Sequence, residues 1–486
     1  MPFFAKMKNL FLFLLLVSSG AVRSQKSPNT YKKRVLETAE LEFLGSYYTQ
    51  DGDNASVTGG IGTEKLTDYT PTIVISIPIN ADGVLTTDIG ISTYTSASSS
   101  NGNPFDITGA SSNGGEGDDD HDKGYGRPVA GAVIGSPWVA STGASRQDTW
   151  VGATVDYSHS SDSRNTVYNA DVSFANEYDY SSLGFGAGIT KLFNDKNTTL
   201  GLSGKVYLDK WRPVYPTELK SYAEVDGHLN TGFFRDVPIY DENGLHSNQW
   251  KPLNGFPLIE NTSRNSYSIS LSISQILSKN AQISLFVDLL QQKGWLANPL
   301  QRVYFADKPN YFIGNIASIP NYTSPNNTDV FQLADDIERL PSSRFKIPVG
   351  LRFNYFINER FVLRTYYRYY FDDWGVSSHT ASLEVPIKLG SSFTLYPSYR
   401  YYQQTEADYF APFDTHLSTD QFYTSDYDLS KFTANQYSLG VGYTDIFTNF
   451  HFFGAGLKSI NLKYSIYQRN TGLSSFIISG GFKFIL

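Results

Sequence analysis

The 486-residue sequence contains no cysteine. This absence excludes disulfide bonds, thiolate chemistry, iron–sulfur clusters and zinc sites built on cysteine. Basic residues are also in deficit, because 39 Lys and Arg stand against 47 Asp and Glu and give a formal net charge of -8. A nucleic-acid partner is therefore not expected, since binding to phosphates calls for a basic face.

Long apolar segments are scarce as well. One apolar run, Leu10 to Val17, follows Lys6 and Lys8 and leads to small residues that end near Ser24. This order is typical of a cleaved signal peptide, so we assign residues 1–24 to it and residues 25–34 to a short periplasmic lead. A buried first strand is the alternative for the same run. No other stretch approaches the roughly eighteen apolar residues of a membrane-spanning helix.

Aromatic residues, by contrast, are abundant. The chain has 34 Tyr and 33 Phe, yet only 40% of its residues are hydrophobic and its mean hydropathy is -0.30. This composition is too polar for a helical membrane protein and too aromatic for a disordered chain. It fits strands with one apolar and one polar face, with aromatic belts at both surfaces of a membrane.

The C-terminal twelve residues, 475–486, show this pattern most clearly. Phe476, Ile478, Phe482, Phe484 and Leu486 fall on one face of an extended chain, while Ser475, Ser479, Gly481 and Lys483 fall on the other. A membrane barrel must pair its last strand with its first, because an open edge is not tolerated in lipid. We therefore expect residues 475–486 to pair with the segment that begins at Val35. A terminal strand of a soluble sandwich is the alternative.

The same alternation marks sixteen strands. They lie near residues 35–48, 66–79, 83–97, 148–159, 164–178, 180–192, 198–211, 264–278, 280–293, 345–357, 359–372, 377–389, 391–404, 434–446, 457–469 and 475–486. Residues 35–486 are thus predicted to form an all-β transmembrane antiparallel β-barrel of about 16 strands. Fourteen is the competing count, because the boundary near Glu177 to Tyr180 is ambiguous.

The connections between these strands alternate in length. Short turns follow the even-numbered strands, and the long segments 98–147, 212–263, 294–344 and 405–433 follow odd-numbered ones. Bacterial barrels have short periplasmic turns and long extracellular loops, so this alternation predicts both termini on the periplasmic side. The turn at 447–456 is an exception, because it is long for that side. The long loops have room for local helices or hairpins.

Charged residues on the inward faces predict two walls of a lumen. The basic wall consists of Arg352, Arg360, Arg364, Arg368, Lys388 and Arg400, with Lys346 beside it; the acidic wall consists of Glu40, Glu42, Asp88, Asp156 and Asp171. Opposed charges across a polar pore favour small polar solutes and bias ion passage, and sixteen strands usually leave an aqueous channel. The alternative is a lumen closed by its own salt bridges, in which Asp288, Glu384 and Lys205 would take part. A loop folded inward would also close it.

One acidic loop has a weak calcium signature. Asp118, Asp120 and Asp122 have the spacing of the first ligands of a calcium loop. Lys123 occupies the position that needs Gly, and Val129 the position that needs an acid, so a solvated loop tip is the favoured interpretation. No other cofactor is expected.

A second loop, 405–433, mixes acids with aromatic residues. This mixture is suited to binding a sugar or a protein partner, but packing of the loop on itself is the favoured interpretation. Catalysis has no local signature, because neither G-x-S-x-G nor H-E-x-x-H occurs. An enzyme is therefore not expected; it would need an acid and a hydroxyl beside His379 or His416.

Several stretches carry a resemblance to a known family. They are YTSASSSNGNPFD from Tyr94, SPWVASTGASR from Ser136, SFANEYDYSSLGFGAGITKLF from Ser173, YLDKWRPVYPTEL from Tyr207, FVLRTYYRYYFDDWGVSSHTASLEVPIKL from Phe361 and FYTSDYDLSKF from Phe422. Over nearly the whole mature chain the sequence resembles a β-barrel family of the Bacteroidota outer membrane that is catalogued as a domain of unknown function. The resemblance implies no catalytic residues.

The resemblance also implies surroundings and partners. It implies contact with outer-membrane lipids and lipopolysaccharide, and the terminal strand is similar to the signal that the barrel-assembly machinery reads. A surface lipoprotein is a further partner that the resemblance suggests. From the sixteen predicted strands and the two charged walls, and not from the resemblance, we predict a porin-like passive diffusion channel for small polar solutes. The alternative is a non-enzymatic binding or scaffold barrel that holds a surface lipoprotein or a glycan through its long loops.

Overall fold

The computed structural model describes residues 34–95, 148–323 and 329–486, and its architecture is a closed sheet of sixteen long strands. They are β1 (Glu40–Asp51), β2 (Leu66–Pro78), β3 (Gly83–Thr95), β4 (Asp148–Ser160), β5 (Thr166–Asn176), β6 (Tyr180–Phe193), β7 (Thr198–Trp211), β8 (Ser263–Ile276), β9 (Ala281–Gly294), β10 (Ser343–Phe356), β11 (Val362–Asp372), β12 (Ser377–Glu384 and Ile387–Leu389), β13 (Phe393–Gln404), β14 (Phe432–Thr444), β15 (Ala455–Arg469) and β16 (Ser474–Ile485). Pro386 interrupts β12, because proline cannot donate a ladder hydrogen bond.

Every strand pairs with the next in antiparallel fashion, and β16 closes the ring against β1. The closing register runs from Glu40 opposite Ile485 to Asp51 opposite Ser474. The predicted sixteen-strand transmembrane antiparallel barrel and its closing pair are therefore confirmed, and the count of fourteen is wrong. The predicted start of the first strand at residue 35 is also wrong. The last hydrogen bond of the closing pair joins the Leu486 N–H to the carbonyl of Ala39 at 2.9 Å, so β16 supplies no partner for residues 35–38. The Val35 N–H instead donates to the carbonyl of Ala81 at 3.0 Å.

The outer surface of the ring is an apolar band. Alternate residues along each strand leave large apolar side chains exposed, such as Ile269, Leu271 and Ile273 on β8 at 52%, 51% and 41%. Aromatic pairs join neighbouring strands on this surface, including Phe43 with Phe484 and Tyr399 with Tyr437. A continuous apolar surface of this kind is stable only against lipid, whereas the inward residues between these positions are mostly polar.

The two ends of the barrel differ in their connections. At the turn end, the segments 79–82, 161–165, 194–197, 277–280, 357–361 and 390–392 join strands directly. The turn at 445–454 is longer, and there the Asp445 carboxylate accepts backbone hydrogen bonds from Phe447, Asn449 and Phe450. This turn leaves Phe447 and Phe453 81% and 97% exposed. At the loop end, segments 52–65, 212–262, 295–342 and 405–431 are long.

The long connections fold into a cap at the loop end. Helix α1 (Thr217–Glu224) and the short strands Tyr240–Asp241, Arg302–Val303, Tyr311–Gly314, Val330–Gln332 and Asp336–Ile337 lie in it. The fully buried Trp250, Phe234, Phe256, Phe331 and Ile337 belong to its apolar core. The predicted local helices and hairpins are therefore present. Because ordering long loops costs conformational entropy, such a core is what keeps them folded.

The cap crosses the mouth of the barrel. Gly59, in the loop after β1, lies so close to the Tyr304 ring that a Cβ there would be 2.6 Å from it. Tyr304 belongs to the loop after β9, and β1 and β9 stand half a ring apart among sixteen strands. Loops from opposite sides therefore meet over the lumen. The described part of the chain has no helix with the length and apolar character needed to cross a bilayer.

Residues 35–486 form one compact unit. The predicted signal peptide, 1–24, and all but the last residue of the predicted lead, 25–34, lie outside the described residues. The same holds for the whole loop between β3 and β4, residues 96–147.

Candidate functional site: the lumen and the cap

The inward faces of β10 to β13 bring together most of the predicted basic wall. Arg352, Arg364, Arg368 and Arg400 alternate with the outward residues Leu351, Leu363, Tyr367 and Tyr399 and therefore point into the lumen. Arg360 lies in the turn before β11, not in the strand. Its carbonyl accepts a hydrogen bond from the Lys388 N–H at 2.8 Å, so both residues lie at the turn end of the wall.

One of these arginines, and a further arginine on β10, are paired with carboxylates on the same wall. Arg364 donates to Glu384 at 2.9 Å, and Arg344, which the sequence did not single out, donates to Asp372 through Nε and Nη2 at 2.9 and 2.5 Å. The Arg364–Glu384 pair follows from the register, because the two residues are direct partners across β11 and β12. Glu384 therefore forms a salt bridge within the lumen, as the alternative of a lumen closed by salt bridges supposed.

The acidic residues of β1 are also paired. Glu40 lies 2.7 Å from Lys458 and 2.8 Å from Lys483, and Glu42 lies 3.9 Å from Lys483. Sequence reasoning had placed Lys483 on the inward face of the last strand but had not connected it with Glu42. Closing the ring makes the two direct partners, so the pairing of the first and last strands was the signal that could have found this contact.

The remaining acids lie on β3 to β5. Asp156 and Asp171 are direct partners across β4 and β5, and Lys205 on β7 reaches Asp171 at 3.4 Å. Gly186 lies between them on β6, where a Cβ would stand 2.2 Å from Asp171 Oδ1. Lys205 is thus a partner of the acidic wall, as the salt-bridge alternative supposed. Asp88 is exposed on the inward face of β3.

A cavity of about 510 Å³ lies in the lumen beside β1. Its polar lining includes Ser46, Arg364, Glu384, Tyr396 and Lys463. This volume falls in the range of sites that hold small molecules. The residues that line this cavity come from β1 and β2, from β11 to β15 and from β16, so they are distant in sequence.

A second cavity of about 470 Å³ lies at the mouth. Barrel residues Tyr48, Gln50 and Arg469 form one side, and cap residues Gln301 and Asp426 form another. Gln301 Nε2 donates to Asp426 at 3.2 Å, and burial raises the pKa of Asp426 to about 7. Arg469 donates to Asp428 at 2.6 Å and thereby ties the cap to β15.

The cap itself contains buried charges. Glu218 on α1 is fully buried, and its Oε1 lies 3.0 Å from Arg302 Nε, while Arg302 Nη2 donates to Oε2 at 3.3 Å. The Arg302 guanidinium also lies 4.6 Å from the centre of the Phe331 ring. Burial raises the pKa of Asp335 to about 7, and that of Glu338 to about 8.

The aromatic residues of the loop 405–431 pack inside the cap, as the favoured interpretation expected. Tyr423 is fully buried against Phe305, with ring centres 5.0 Å apart, and donates to the Asp336 carboxylate at 2.5 Å. Tyr304 packs on Phe413 at 5.0 Å. Tyr423 is therefore part of the interior of the cap, while the other aromatic residues of the loop are partly exposed.

The two histidines that a catalytic site would require lie apart from the lumen cavity. His379 is on the outward face of β12, where its Nδ1 is 2.7 Å from the Tyr367 hydroxyl. His416 is buried in the cap, and its Nε2 donates to the carbonyl of Thr424 at 2.9 Å. The acidic triplet Asp118, Asp120 and Asp122 lies outside the described residues.

Comparisons with known proteins give a family and several distant folds. A family model described as "Protein of unknown function (DUF3570)" matches residues 20–481. Curated protein sequences give no match. A bacterial polysaccharide outer membrane secretin is 9% identical with a TM-score of 0.41, over 92% of this chain and 98% of that chain. A mutant of the TodX monoaromatic hydrocarbon channel is 10% identical with a TM-score of 0.37, over 93% and 91%. OpdK of Pseudomonas aeruginosa with vanillate is 8% identical with a TM-score of 0.34, over 92% and 98%. The fold assignment therefore depends on the strand pairing of this chain.

Proposed function

The chain belongs to the family described as "Protein of unknown function (DUF3570)", and from its lumen we propose that it is a porin-like passive diffusion channel for small polar solutes. The proposal places the barrel in a bacterial outer membrane, with the loop end outside and the signal peptide removed. A Bacteroidota source is part of the same proposal.

One observation carries the proposal: the two polar cavities follow each other along the inner face of β1. The mouth cavity contacts Tyr48 and Gln50, and the lumen cavity contacts Leu44 and Ser46. Inward positions recur every second residue, so these contacts are consecutive steps along one strand. A solute that passes between the cap and β1 would meet polar groups from one cavity to the next.

The cap refines the expected type of channel. Loops that meet over the mouth leave a narrower route than an unobstructed sixteen-strand ring. The ion pairs on both walls narrow the lumen further. We therefore propose a restrictive pathway along the β1 side, with low conductance compared with a wide pore.

Single cysteines test this route, since the chain has none of its own. Ser46→Cys places a thiol in the lumen cavity, and a charged, water-soluble methanethiosulfonate should then reduce the current through the barrel in a planar bilayer. Ile269→Cys is the control, because its side chain belongs to the outer apolar band and is 52% exposed there. A folded barrel that conducts no ions, or two variants that respond alike, would refute the proposed route.

The alternative function is a scaffold barrel that holds a surface lipoprotein or a glycan. The folded cap favours it, because a loop domain with its own apolar core presents a fixed outer surface. A partner isolated in mild detergent at equal stoichiometry, and lost when residues 228–258 are replaced by a short linker, would support this alternative over the channel.

A further inference from the structure

The arginines on the inward faces of β10 to β15 fall into two groups. Within the described residues, Arg344, Arg364 and Arg469 each have a carboxylate partner within 4 Å, whereas Arg352, Arg368 and Arg400 have none. Arg352 and Arg400 are exposed on the inward face and Arg368 is partly exposed. The second group therefore presents uncompensated positive charge to the lumen.

The register places these three arginines in adjacent rows of one wall. Arg352, Tyr366, Ser382 and Arg400 are successive direct partners across β10 to β13. Arg368 and Thr380 form the neighbouring row, in which Tyr402 follows on β13. Direct partners have Cβ atoms about 5 Å apart, and adjacent inward rows lie within reach of long side chains. Hydroxyl donors thus lie between the guanidinium groups.

Arg352 is held in place by aromatic rings. Its guanidinium lies 5.7 Å from the centre of the Phe286 ring and 5.6 Å from that of Tyr366, and these two rings are stacked at 5.9 Å. Gly350 makes this possible, because a Cβ at that position would lie 1.8 Å from the Phe286 ring. A guanidinium fixed in this way keeps its hydrogen-bond donors free, and less side-chain entropy is lost on binding.

We propose that Arg352, Arg368 and Arg400, with the hydroxyl groups of Ser382 and Tyr366, form a binding site for small oxyanions, either carboxylates or phosphate. The planar fork of a guanidinium matches both kinds of anion, and neutral hydroxyls complete the donor set. The inference rests on the proposed channel function and names the class of solute that the pathway would take.

A neighbouring face of the lumen, on β8 and separated from β10 by β9, adds no charge of the opposite sign. Five serines, Ser266, Ser268, Ser270, Ser272 and Ser274, occupy successive inward positions of β8. Such a face offers small neutral hydroxyls and adds no negative charge. An anion at the arginine wall would therefore meet neutral hydroxyls on the β8 side, whereas the acids Asp88, Asp156 and Asp171 lie across the lumen on β3 to β5.

Ion selectivity in planar bilayers tests the inference. In about 0.1 M KCl, where screening is moderate, the unmodified barrel should prefer chloride to potassium. Each removed charge should lower that preference roughly threefold, so the triple variant Arg352→Gln, Arg368→Gln, Arg400→Gln should lose it. Arg235→Gln removes one charge on the exposed surface of the cap and should leave the preference unchanged.

A binding measurement separates a built site from diffuse charge. Titration of the detergent-solubilised barrel with inorganic phosphate or with acetate should give saturable binding. Replacing the three arginines by lysine keeps the charge but removes the fork, so chloride preference should persist while affinity for the oxyanion falls. Phosphate binding without acetate binding would assign the site to phosphate, and the reverse result would assign it to carboxylates.

The outcomes distinguish the two proposals. A barrel that conducts but shows no anion preference, or whose preference survives in the glutamine variant, would overturn the oxyanion site and leave the channel standing. A barrel that does not conduct would overturn the channel, and saturable binding lost in the glutamine variant would then still support the site. Heat-modifiable migration in electrophoresis establishes that each variant has folded.

Discussion

Removing the carboxylate of Glu218 should open the cap. This residue on α1 is fully buried, and its partner Arg302 on the loop after β9 has a side chain that is only 5% exposed. Their two contacts, at 3.0 and 3.3 Å, join the two longest described loops of the cap. In Glu218→Ala, the Arg302 guanidinium would remain buried against Phe331 with its partner lost.

The magnitude follows from this burial. Breaking a buried ion pair from one side costs about 3–5 kcal/mol, because the remaining charge stays desolvated. A cost of about 3 kcal/mol raises the population of the opened cap by roughly a hundredfold. The barrel ladder does not involve either residue, so the loss should be confined to the cap.

Amide hydrogen exchange measures the effect. Exchange should accelerate in residues 217–224 and 302–337 of Glu218→Ala, while β5 and β6 keep their protection as an internal reference. Lys220→Gln on the same helix breaks only the exposed pair with Glu224, at 3.7 Å, and should change stability by about 0.5 kcal/mol or less.

A double variant tests the cause. Glu218→Leu with Arg302→Met removes both charges and keeps most of the volume, so it should recover much of the lost protection. Unchanged exchange in Glu218→Ala would refute the assigned role of the pair. Equal exchange in Glu218→Ala and in the double variant would show that lost packing, not the orphaned charge, opens the cap.

Three further predictions concern the cap and the lumen. Raising the pH should loosen the cap, because burial raises the pKa of Asp335 and Asp426 to about 7 and that of Glu338 to about 8, above their ordinary values. The protonated forms stabilise the cap fully below about pH 4, and this stability is lost as the pH rises through 7 and 8. Amide exchange in residues 295–342, corrected for intrinsic rates, should therefore be faster at pH 9 than at pH 6. An equal rate at the two pH values would contradict this prediction. Gly186→Ala should destabilise the barrel by about 1–3 kcal/mol in urea, because its Cβ would strike the Asp171 carboxylate, whereas Gly45→Ala should leave the midpoint unchanged. Asp428→Asn should raise the conductance by releasing Arg469 at the mouth, while the amides of α1 stay protected from hydrogen exchange. Unchanged conductance would argue that the cap does not separate from the barrel at this contact.

The barrel was predictable because its pattern is local. Lipid on one side and water on the other impose a period of two, so outward residues such as Ile269, Leu271 and Ile273 identify a strand without knowledge of its partners. The start of β1 was misplaced because the pattern extends past the last partner that β16 supplies. Alternation marks which residues are compatible with a strand, whereas pairing decides which of them form one.

The site was predictable only in part, for a related reason. The alternation of inward and outward residues along β11 was enough to place Arg364 and Arg368 on the inward face. Deciding that Arg364 has a carboxylate partner and Arg368 has none requires the cross-strand register, which joins Arg364 to Glu384 and Arg368 to Thr380. The contacts between the loops of the cap could not be predicted, because pairs such as Glu218 with Arg302 join loops whose order along the chain does not reveal their neighbours.

Contacts inside the cap and contacts between the cap and the barrel differ in strength, and this difference indicates which of them would break first. The pair Glu218 and Arg302 lies in its interior and is expensive to break, whereas Asp428, which anchors the cap to Arg469 on β15, is 69% exposed. The Arg469 side chain is 15% exposed, but solvent screens the Asp428 carboxylate, so this pair contributes less than the buried pair. A motion that admits a solute should therefore separate the cap from the barrel at the contact between Asp428 and Arg469, and leave the core of the cap intact. This contact borders the mouth cavity, so a contact weaker than the buried pair Glu218 and Arg302 lies where the proposed path begins.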